Sequence, residues 1–596
     1  MKKKQKNKQL AESSKEYNTF FTDILFNSGL FILLFIVINV LLTSTMFIFH
    51  VSISQCYLWI SLFLTIIIMM YFLIKKNNLN FKYIIGSFIL PLVIIFLSIF
   101  GSGKFFDFTW DGNSYHKSTI GFLIDGWNPL YETMKEFDDS SKVPININES
   151  SYIWGEHYAQ FSHFFAANIG IVTKNIESGK ALNIMSMYVL FAFVLCLLFK
   201  KYPKNYLFNI LFSLSLITCT TIGTQFLTNY VDLLVYIYLF LLIIIFFYFE
   251  FDQDKKNESE QLLVYFSVLI ALINIKFSSF GYAGIMCLGY YILYLFRYKK
   301  IKPFFIKFTI VSVLAVLIGV FVVGLSVYPK NFKEHGHPFY PLFGEGKYDI
   351  MTANQPEYFQ TKSPIEKFTI ATFSKAANIS LADKKTAEFK LPFTVYKSEL
   401  EYLNSCDLRI SGNGIFFSGI LLISLVVLLF GMRVIYKKNI KLFWLILIPC
   451  VITLVLIFTM SDVWWARYFP QLHLIVFFAL IVLNELENKY FKYFKFLILI
   501  VLLINNIIPL IMTTKTAYNH TFNVNYQFVL FEQNTTVKDC NLIVDNHIFQ
   551  GTYFDIKYKL PEYNIKFDNL NNNYGYYFDD GFAVGICEEQ LKNAIQ

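Results

Sequence analysis

Gly29–Phe49 reads GLFILLFIVINVLLTSTMFIF and holds no charged residue. At 1.5 Å rise per residue, about 20 apolar residues cross a hydrocarbon layer of about 30 Å, so this stretch predicts a membrane-spanning helix. The segment before it, MKKKQKNKQ, is basic, and the apolar run starts only near Asn27. It therefore reads as a retained span rather than a cleaved leader. Similar runs recur along the chain. They predict about thirteen spans, at roughly 28–49, 57–74, 83–101, 181–199, 205–222, 232–249, 262–276, 280–296, 308–328, 413–432, 442–460, 471–486 and 494–512.

The composition agrees. Of 596 residues, 55% are hydrophobic and 16% are charged, against about 25% charged in soluble domains. The net charge of +9 does not point to nucleic acid, because the lysines and arginines cluster at span ends. Alternate connections are short and basic: Lys75, Lys76 and Lys82; Lys200, Lys201 and Lys204; Lys255 and Lys256; Arg297, Lys299, Lys300 and Lys302; Arg433, Lys437, Lys438 and Lys441; Lys489, Lys492 and Lys495. Basic loops favour the cytoplasmic side. This alternation predicts a cytoplasmic N-terminus (1–27), a membrane module (28–512) with exterior loops 102–180 and 329–412, and an exterior tail (513–596). In the tail, NLIVDNHI and TYFDIKYKL have a period of two and read as strands of a small α+β domain. The fold class is thus an all-α polytopic membrane protein with a small C-terminal α+β domain. Most of the eight cysteines fall in apolar spans; Cys406, Cys540 and Cys587 fall in exterior segments, where a Cys540–Cys587 disulfide suits an oxidising compartment.

Chemistry-bearing residues gather in the exterior segments. The first loop opens FFDFTWDGNSYHKSTIGFLIDGWNPLYE (105–132). Asp107 and Asp111, four apart, share a face if the segment is helical. Asp111 can be a general base, a ligand for a metal or a sugar hydroxyl, or a helix cap. The loop ends SYIWGEHYAQFSHFFAANIGIVTKNIESGKALN (151–183), where Glu156, His157 and His163 suit substrate contact or metal ligation with Asp111; the stretch itself reads as a helix lying in the membrane interface. Asp232 stands at an exterior span start in QFLTNYVDLL. Lys276, in INIKFSSFGY, needs an anionic partner or must snorkel. VYPKNFKEHGHPFYPLFGEG (327–346) reads as a rigid Pro- and Gly-rich turn carrying His335 and His337, either surface residues or metal ligands. In SDVWWARYFPQLHL, Arg467 offers a planar fork suited to phosphate oxygens, or a headgroup anchor paired with Asp462.

Together these segments resemble the bacterial branch of the glycosyltransferase C superfamily, polytopic enzymes that use polyprenyl-phosphate sugars. WDGNSYHKSTIGFLIDGWNPLY is similar to that family's Trp-Asp, Tyr-His and Tyr-Pro-turn pattern. YPKNFKEHGHPFYPLFG is similar to its Asn…Gly-Asn-Pro-Phe-Tyr-Pro segment, with His337 where Asn is usual. NIESGKALN, QFLTNYVDLL, INIKFSS and WWARYFPQ extend the likeness over about 105–475. Two extra spans precede the loop that the family places after its first span, and the Asp-Glu pair of the protein mannosyltransferase and aminoarabinose transferase branches is absent, so the acceptor class is not carried over.

The resemblance implies a sugar transfer on the exterior face of a bacterial cell membrane, from a polyprenyl-phosphate donor to a glycan, lipid or protein acceptor. It implies Asp111 as catalytic base, with Asp107 or Glu156 as the second acid. His116 would orient Asp111 or bind phosphate; Arg467 and Lys276 would stabilise the leaving phosphate, with Glu156, His157 and His337 also at the substrate. No metal ligand set is assigned, although a divalent ion is compatible with the site. No Gly-rich nucleotide fingerprint follows a strand. Two other classes compete: a polysaccharide polymerase or ligase using a lipid-diphosphate carrier, and a lipid or glycan transporter, which would need ionisable groups at mid-membrane.

Overall fold

A computed structural model describes residues 2–76, 80–141, 145, 147–252, 256–297, 303–486, 488–534, 541–545, 551–561, 564–567 and 584–587. The architecture is an all-α bundle. Among the described residues, eleven helices are long and apolar enough to cross a membrane: Phe20–Ile48, Cys56–Lys75, Phe81–Ser102, Ile176–Lys201, Asp232–Phe251, Glu258–Ile275, Phe277–Arg297, Pro303–Val323, Phe417–Lys438, Ile440–Thr459 and Lys489–Val529. The other two expected spans form shorter helices. Gln471–Glu485 is one; the other breaks after Tyr206–Ile217 and resumes as Thr220–Gln225.

The position of each helix follows from its composition. Asp232–Phe251 is apolar on every side and almost wholly buried, so it occupies the bundle centre. The helices Cys56–Lys75, Phe81–Ser102 and Pro303–Val323 bury one stripe only. They leave Trp59, Phe63, Phe96 and Phe321 exposed on the outer surface, as lipid-facing helices do. Basic side chains of the expected inner connections pair with acids at one end of the bundle. Lys76 pairs with Glu260, Lys200 with Asp252 (2.7 Å), Lys201 with Glu485 (3.3 Å) and Arg297 with Glu250 (2.8 Å).

Three local expectations are corrected. The 151–183 stretch does not lie on the surface: Phe161–Thr173 is a buried helix, with Phe161, His163, Phe164 and Phe165 all packed inside. Phe161, Phe164 and Phe165 share one face, but His163 and residues 166–170 are buried as well, so the helix is covered on every side, which suits a core position. The 327–346 segment begins as a helix, Tyr328–His335, because Pro329 sits in the first turn, where its missing N–H costs nothing. Gly336, at φ +69°, then ends it in a left-handed cap.

The C-terminal α+β domain is not supported. Residues 513–534 continue the last long helix, Lys489–Asn534. From 513 onward Thr513, Ala517, Thr521, Val524 and Phe528 are buried, a helical and not a two-residue period. TYFDIKYK is also a helix (Thr552–Lys559), burying Tyr553, Phe554 and Ile556. Asn541–Asp545 is a strand, paired in parallel with Asn564–Phe567 and antiparallel with Val584–Cys587. Most of the remaining tail, and the side chains of the expected Cys540–Cys587 pair, lie outside the described residues.

Candidate active site

A cavity of about 550 Å³ opens at the bundle end opposite those basic pairs. That volume is in the range of pockets that hold small organic ligands. Its wall is drawn from five regions far apart in sequence, Tyr230 and Val231 before the central helix among them. Trp110, Asp111 and Tyr115 come from the first loop, Lys276 from a helix break, Asp407 and Arg409 from the long loop, and Arg467 and Tyr468 from the turn after the tryptophan pair.

The first loop reaches the cavity through a tight local fold. Residues 106–109 lie outside any helix and a helical turn starts only at Trp110, so Asp107 and Asp111 do not share a helix face. Asp107 turns inward. Its carboxylate accepts from Thr109 N–H (2.9 Å) and Oγ1 (2.6 Å), and from Asn229 N–H (2.6 Å) and Nδ2 (2.8 Å). Both oxygens are saturated, and the residue is outside the cavity lining. Gly112 permits this packing, since a Cβ there would lie 2.2 Å from an Asp107 oxygen. Asp111 faces the other way, into the cavity, with about a quarter of its side chain exposed.

Arg467 is the hub of the site. Its Nη2 donates to Asp111 Oδ2 (2.9 Å) and its Nε to Asp232 Oδ2 (2.8 Å). Nη1 lies 3.0 Å from Asp407 Oδ1, within ion-pair range but not aligned as a hydrogen bond. The guanidinium also rests 4.6 Å from the Tyr230 ring centre and 5.3 Å from those of Trp465 and Tyr468. Burial opposes its charge; Asp232, Asp407 and Asp111 outweigh burial and raise its pKa above the usual value. Asp232 stands at the N-terminus of the central helix, where a carboxylate is favoured.

Lys276 occupies an extended break between Glu258–Ile275 and Phe277–Arg297. Its ammonium donates to the other oxygen of Asp232 and lies 4.1 Å from the Tyr468 ring centre. It has its counter-ion and does not need to snorkel. Asp407 lies beside the arginine with about a quarter of its side chain exposed, and its partly desolvated position pushes its carboxyl up to about 6, with Arg467 pulling the other way.

The other expected residues lie elsewhere. His116 is buried beside the cavity wall, its Nδ1 2.8 Å from His163 Nε2, and burial pushes its pKa down to about 3, so it is neutral. Glu156 is buried, pairs with Lys330 and accepts from Met134 N–H (3.0 Å). His157 bonds Asn331 (2.8 Å), and His337 Nδ1 accepts from Phe339 N–H (3.1 Å). None of these four lines the cavity, although Leu342 from the same turn as His337 does.

Asp407, Arg409 and Tyr230 were missed by sequence reasoning. CDLRI carries no local signature, and only the fold brings it to Arg467. The ionisable lining is balanced: Asp111, Asp407 and Asp462 against Lys276, Arg409 and Arg467. Eight aromatic side chains around these charges (Trp110, Tyr115, Trp154, Tyr158, Tyr230, Tyr282, Trp465 and Tyr468) offer flat faces to a ligand with apolar and hydroxylated surfaces. No family model matches the chain, and no curated protein matches it.

Proposed function

We propose that this chain is a membrane glycosyltransferase of the glycosyltransferase C type, moving a sugar from a polyprenyl-phosphate donor to an acceptor hydroxyl on the exterior face of a bacterial cell membrane. The observation that carries this reading is the meeting of Asp111 with Arg467 and Lys276 in one aromatic-walled cavity at the bundle end. Transfer from a lipid phosphate needs a base beside the acceptor, cations beside the leaving oxygen, and a lipid-facing site. It needs no nucleotide-binding domain.

In this reaction Asp111 takes the proton of the acceptor hydroxyl as that oxygen bonds to the anomeric carbon. The bond from that carbon to the phosphate oxygen breaks, and its electron pair leaves with the polyprenyl phosphate. Arg467 and Lys276 are already charged and held in place, so they stabilise the growing phosphate charge without reorganising. The aromatic rings would stack on the sugar. Asp107 supports the loop that presents Asp111, and neutral His116 packs behind Tyr115, a supporting position rather than a phosphate contact.

The test is transfer by purified full-length protein in lipid. Radiolabelled sugar should pass from a polyprenyl-monophosphate sugar to acceptor, and not from a nucleotide sugar. Transfer from the nucleotide sugar without any lipid intermediate would overturn this reading. Transfer only from a lipid-diphosphate glycan would favour a polymerase or ligase.

A further inference from the structure

Outside the cavity, two helix ends from different loops bring together a second set of chemistry-bearing side chains. His157 is the last residue of the helix Glu149–His157, and Glu334 and His335 close the helix Tyr328–His335. One ligand atom from each of the three lies within 4.8 Å of the others. The two imidazole rings stand 5.0 Å apart, centre to centre, and nearly perpendicular.

We infer that His157, Glu334 and His335 form a binding site for a zinc-class divalent ion that staples the two loops beside the cavity. Two imidazoles with one carboxylate suit zinc and its neighbours, and not magnesium or calcium, which prefer all-oxygen shells. Three protein ligands leave the fourth tetrahedral position for water.

His157 is oriented for ligation. Asn331 is buried, and its Nδ2 donates to the backbone oxygens of His157 (2.8 Å) and Tyr340 (2.8 Å), which fixes its amide. Its Oδ1 must then accept, so the partner atom, His157 Nδ1 at 2.8 Å, carries the proton. That tautomer leaves Nε2 with a free lone pair. Metal-bound histidines commonly donate their second N–H to a carbonyl in this way. His335 is held in plane by stacking on Tyr340, with ring centres 3.5 Å apart and planes within 2°. Among the described residues, neither its ring nitrogens nor the Glu334 carboxylate has a hydrogen-bond or ion-pair partner. The nearby cation Lys330 is neutralised by Glu156.

The edge of a zinc tetrahedron with bonds of 2.0–2.2 Å is about 3.4 Å. The exposed Glu334 side chain can close the remaining gap by rotating about its own torsions. Gly344, at φ +100°, lets the turn fold back against this corner, because a Cβ there would meet the His335 oxygen at 2.6 Å. Trp154, three residues before His157, lines the cavity, so a bound ion would stiffen the wall of the candidate active site without touching its charges.

The experiment is a zinc titration of tag-free full-length protein in detergent, stripped with chelator and read by competition with a chromogenic chelator. Wild type should bind one tight equivalent. His335→Ala and His157→Ala should each weaken binding by more than about 100-fold, and Asn331→Ala by about 10–100-fold, as loss of an outer-shell partner does. His337→Ala, two residues away, should bind like wild type. Zinc should also slow tryptic cleavage at Lys330 and Lys333 in wild type and not in His335→Ala, which alters only a half-buried side chain and keeps the test valid if His157→Ala fails to fold. Binding in His335→Ala within about threefold of wild type, or no tight equivalent in wild type, would overturn the inference. Neither readout depends on sugar transfer.

Discussion

Arg467 Nη2 lies 2.9 Å from Asp111 Oδ2, joining residues 356 positions apart in the chain. The same guanidinium holds Asp232, and its third nitrogen faces Asp407 at ion-pair distance, so three carboxylates surround it. The arginine is therefore neutralised from within the protein. In the proposed reaction an arriving phosphate would displace one of these carboxylates from Arg467. Asp111 is the most exposed candidate after Asp407, and releasing it would free the base as the cation engages the donor.

If Asp111 is that base, Asp111→Asn keeps the shape of the side chain and removes its basicity. Turnover should fall by about 10²–10⁴-fold, the usual contribution of general-base assistance, while donor binding persists. Asp107→Asn should instead act on folding: an amide cannot accept four donated hydrogen bonds on two oxygens, so thermal stability drops and the surviving folded fraction turns over. Normal turnover in Asp111→Asn would remove Asp111 from the chemistry.

Arg467→Lys separates charge from geometry. A lysine retains the charge but cannot span Asp111, Asp232 and Asp407 at once. Losing a preorganised donor to a developing oxyanion costs about 2.7–4 kcal/mol, so kcat should fall about 10²–10³-fold with a smaller change in KM. Wild-type kcat in this variant would mean that the arginine is only a structural clamp for the three acids.

Beneath the first loop, fully buried Lys117 pairs with Glu177 and with Asp555 (2.6 Å), while the Gly551 N–H donates to the Asn113 oxygen (2.8 Å). The helix Thr552–Lys559 is thereby tied to the segment that presents Asp111. Removing one partner of a buried pair typically costs about 3–5 kcal/mol. Asp555→Ala should lower the Tm measurably and expose Lys557 and Lys559 to trypsin. An unchanged Tm with unchanged cleavage would show that Asn113, the Lys557–Asp125 pair (2.5 Å) and the apolar contacts suffice to dock this helix.

How much of this was legible in the sequence depends on the range of the signal. Spans such as Phe417–Lys438 and Ile440–Thr459 are local: a hydropathy run long enough to cross a bilayer is visible without its neighbours. Asp111, Lys276 and Arg467 were also legible, because charged residues beside aromatic residues at span ends need a reason to be there. The face-sharing of Asp107 and Asp111 failed, because a helical face requires a helix and residues 106–109 are not helical. TYFDIKYK misled through its alternating pattern, which a short buried helix satisfies equally well when neighbours cover it on several sides. Asp407 was illegible in principle. Nothing in CDLRI distinguishes it from a solvated loop acid, and its meaning arises only from Arg467, sixty residues on in the chain.

Asp407 gives a pH signature. Burial raises the Asp407 carboxyl from an ordinary 3.8 to about 6. A raised acid favours the fold while it is protonated, and that advantage is lost as pH rises from about 4 through 6. For ligand binding the sign is the same: below about 6 Asp407 is neutral, the cavity carries one more positive charge, and Arg467 has a donor direction free. One unit charge at such a distance is worth about 1–3 kcal/mol at an effective dielectric between protein surface and water. An anionic lipid phosphate should therefore bind at least about fivefold more tightly at pH 5 than at pH 8, once the titration of the phosphate itself is subtracted. Asp407→Asn should bind with the tighter constant at both pH values. Its amide mimics the protonated acid and removes the step. A step near pH 6 that survives in Asp407→Asn would assign the titration to another group and detach Asp407 from ligand binding.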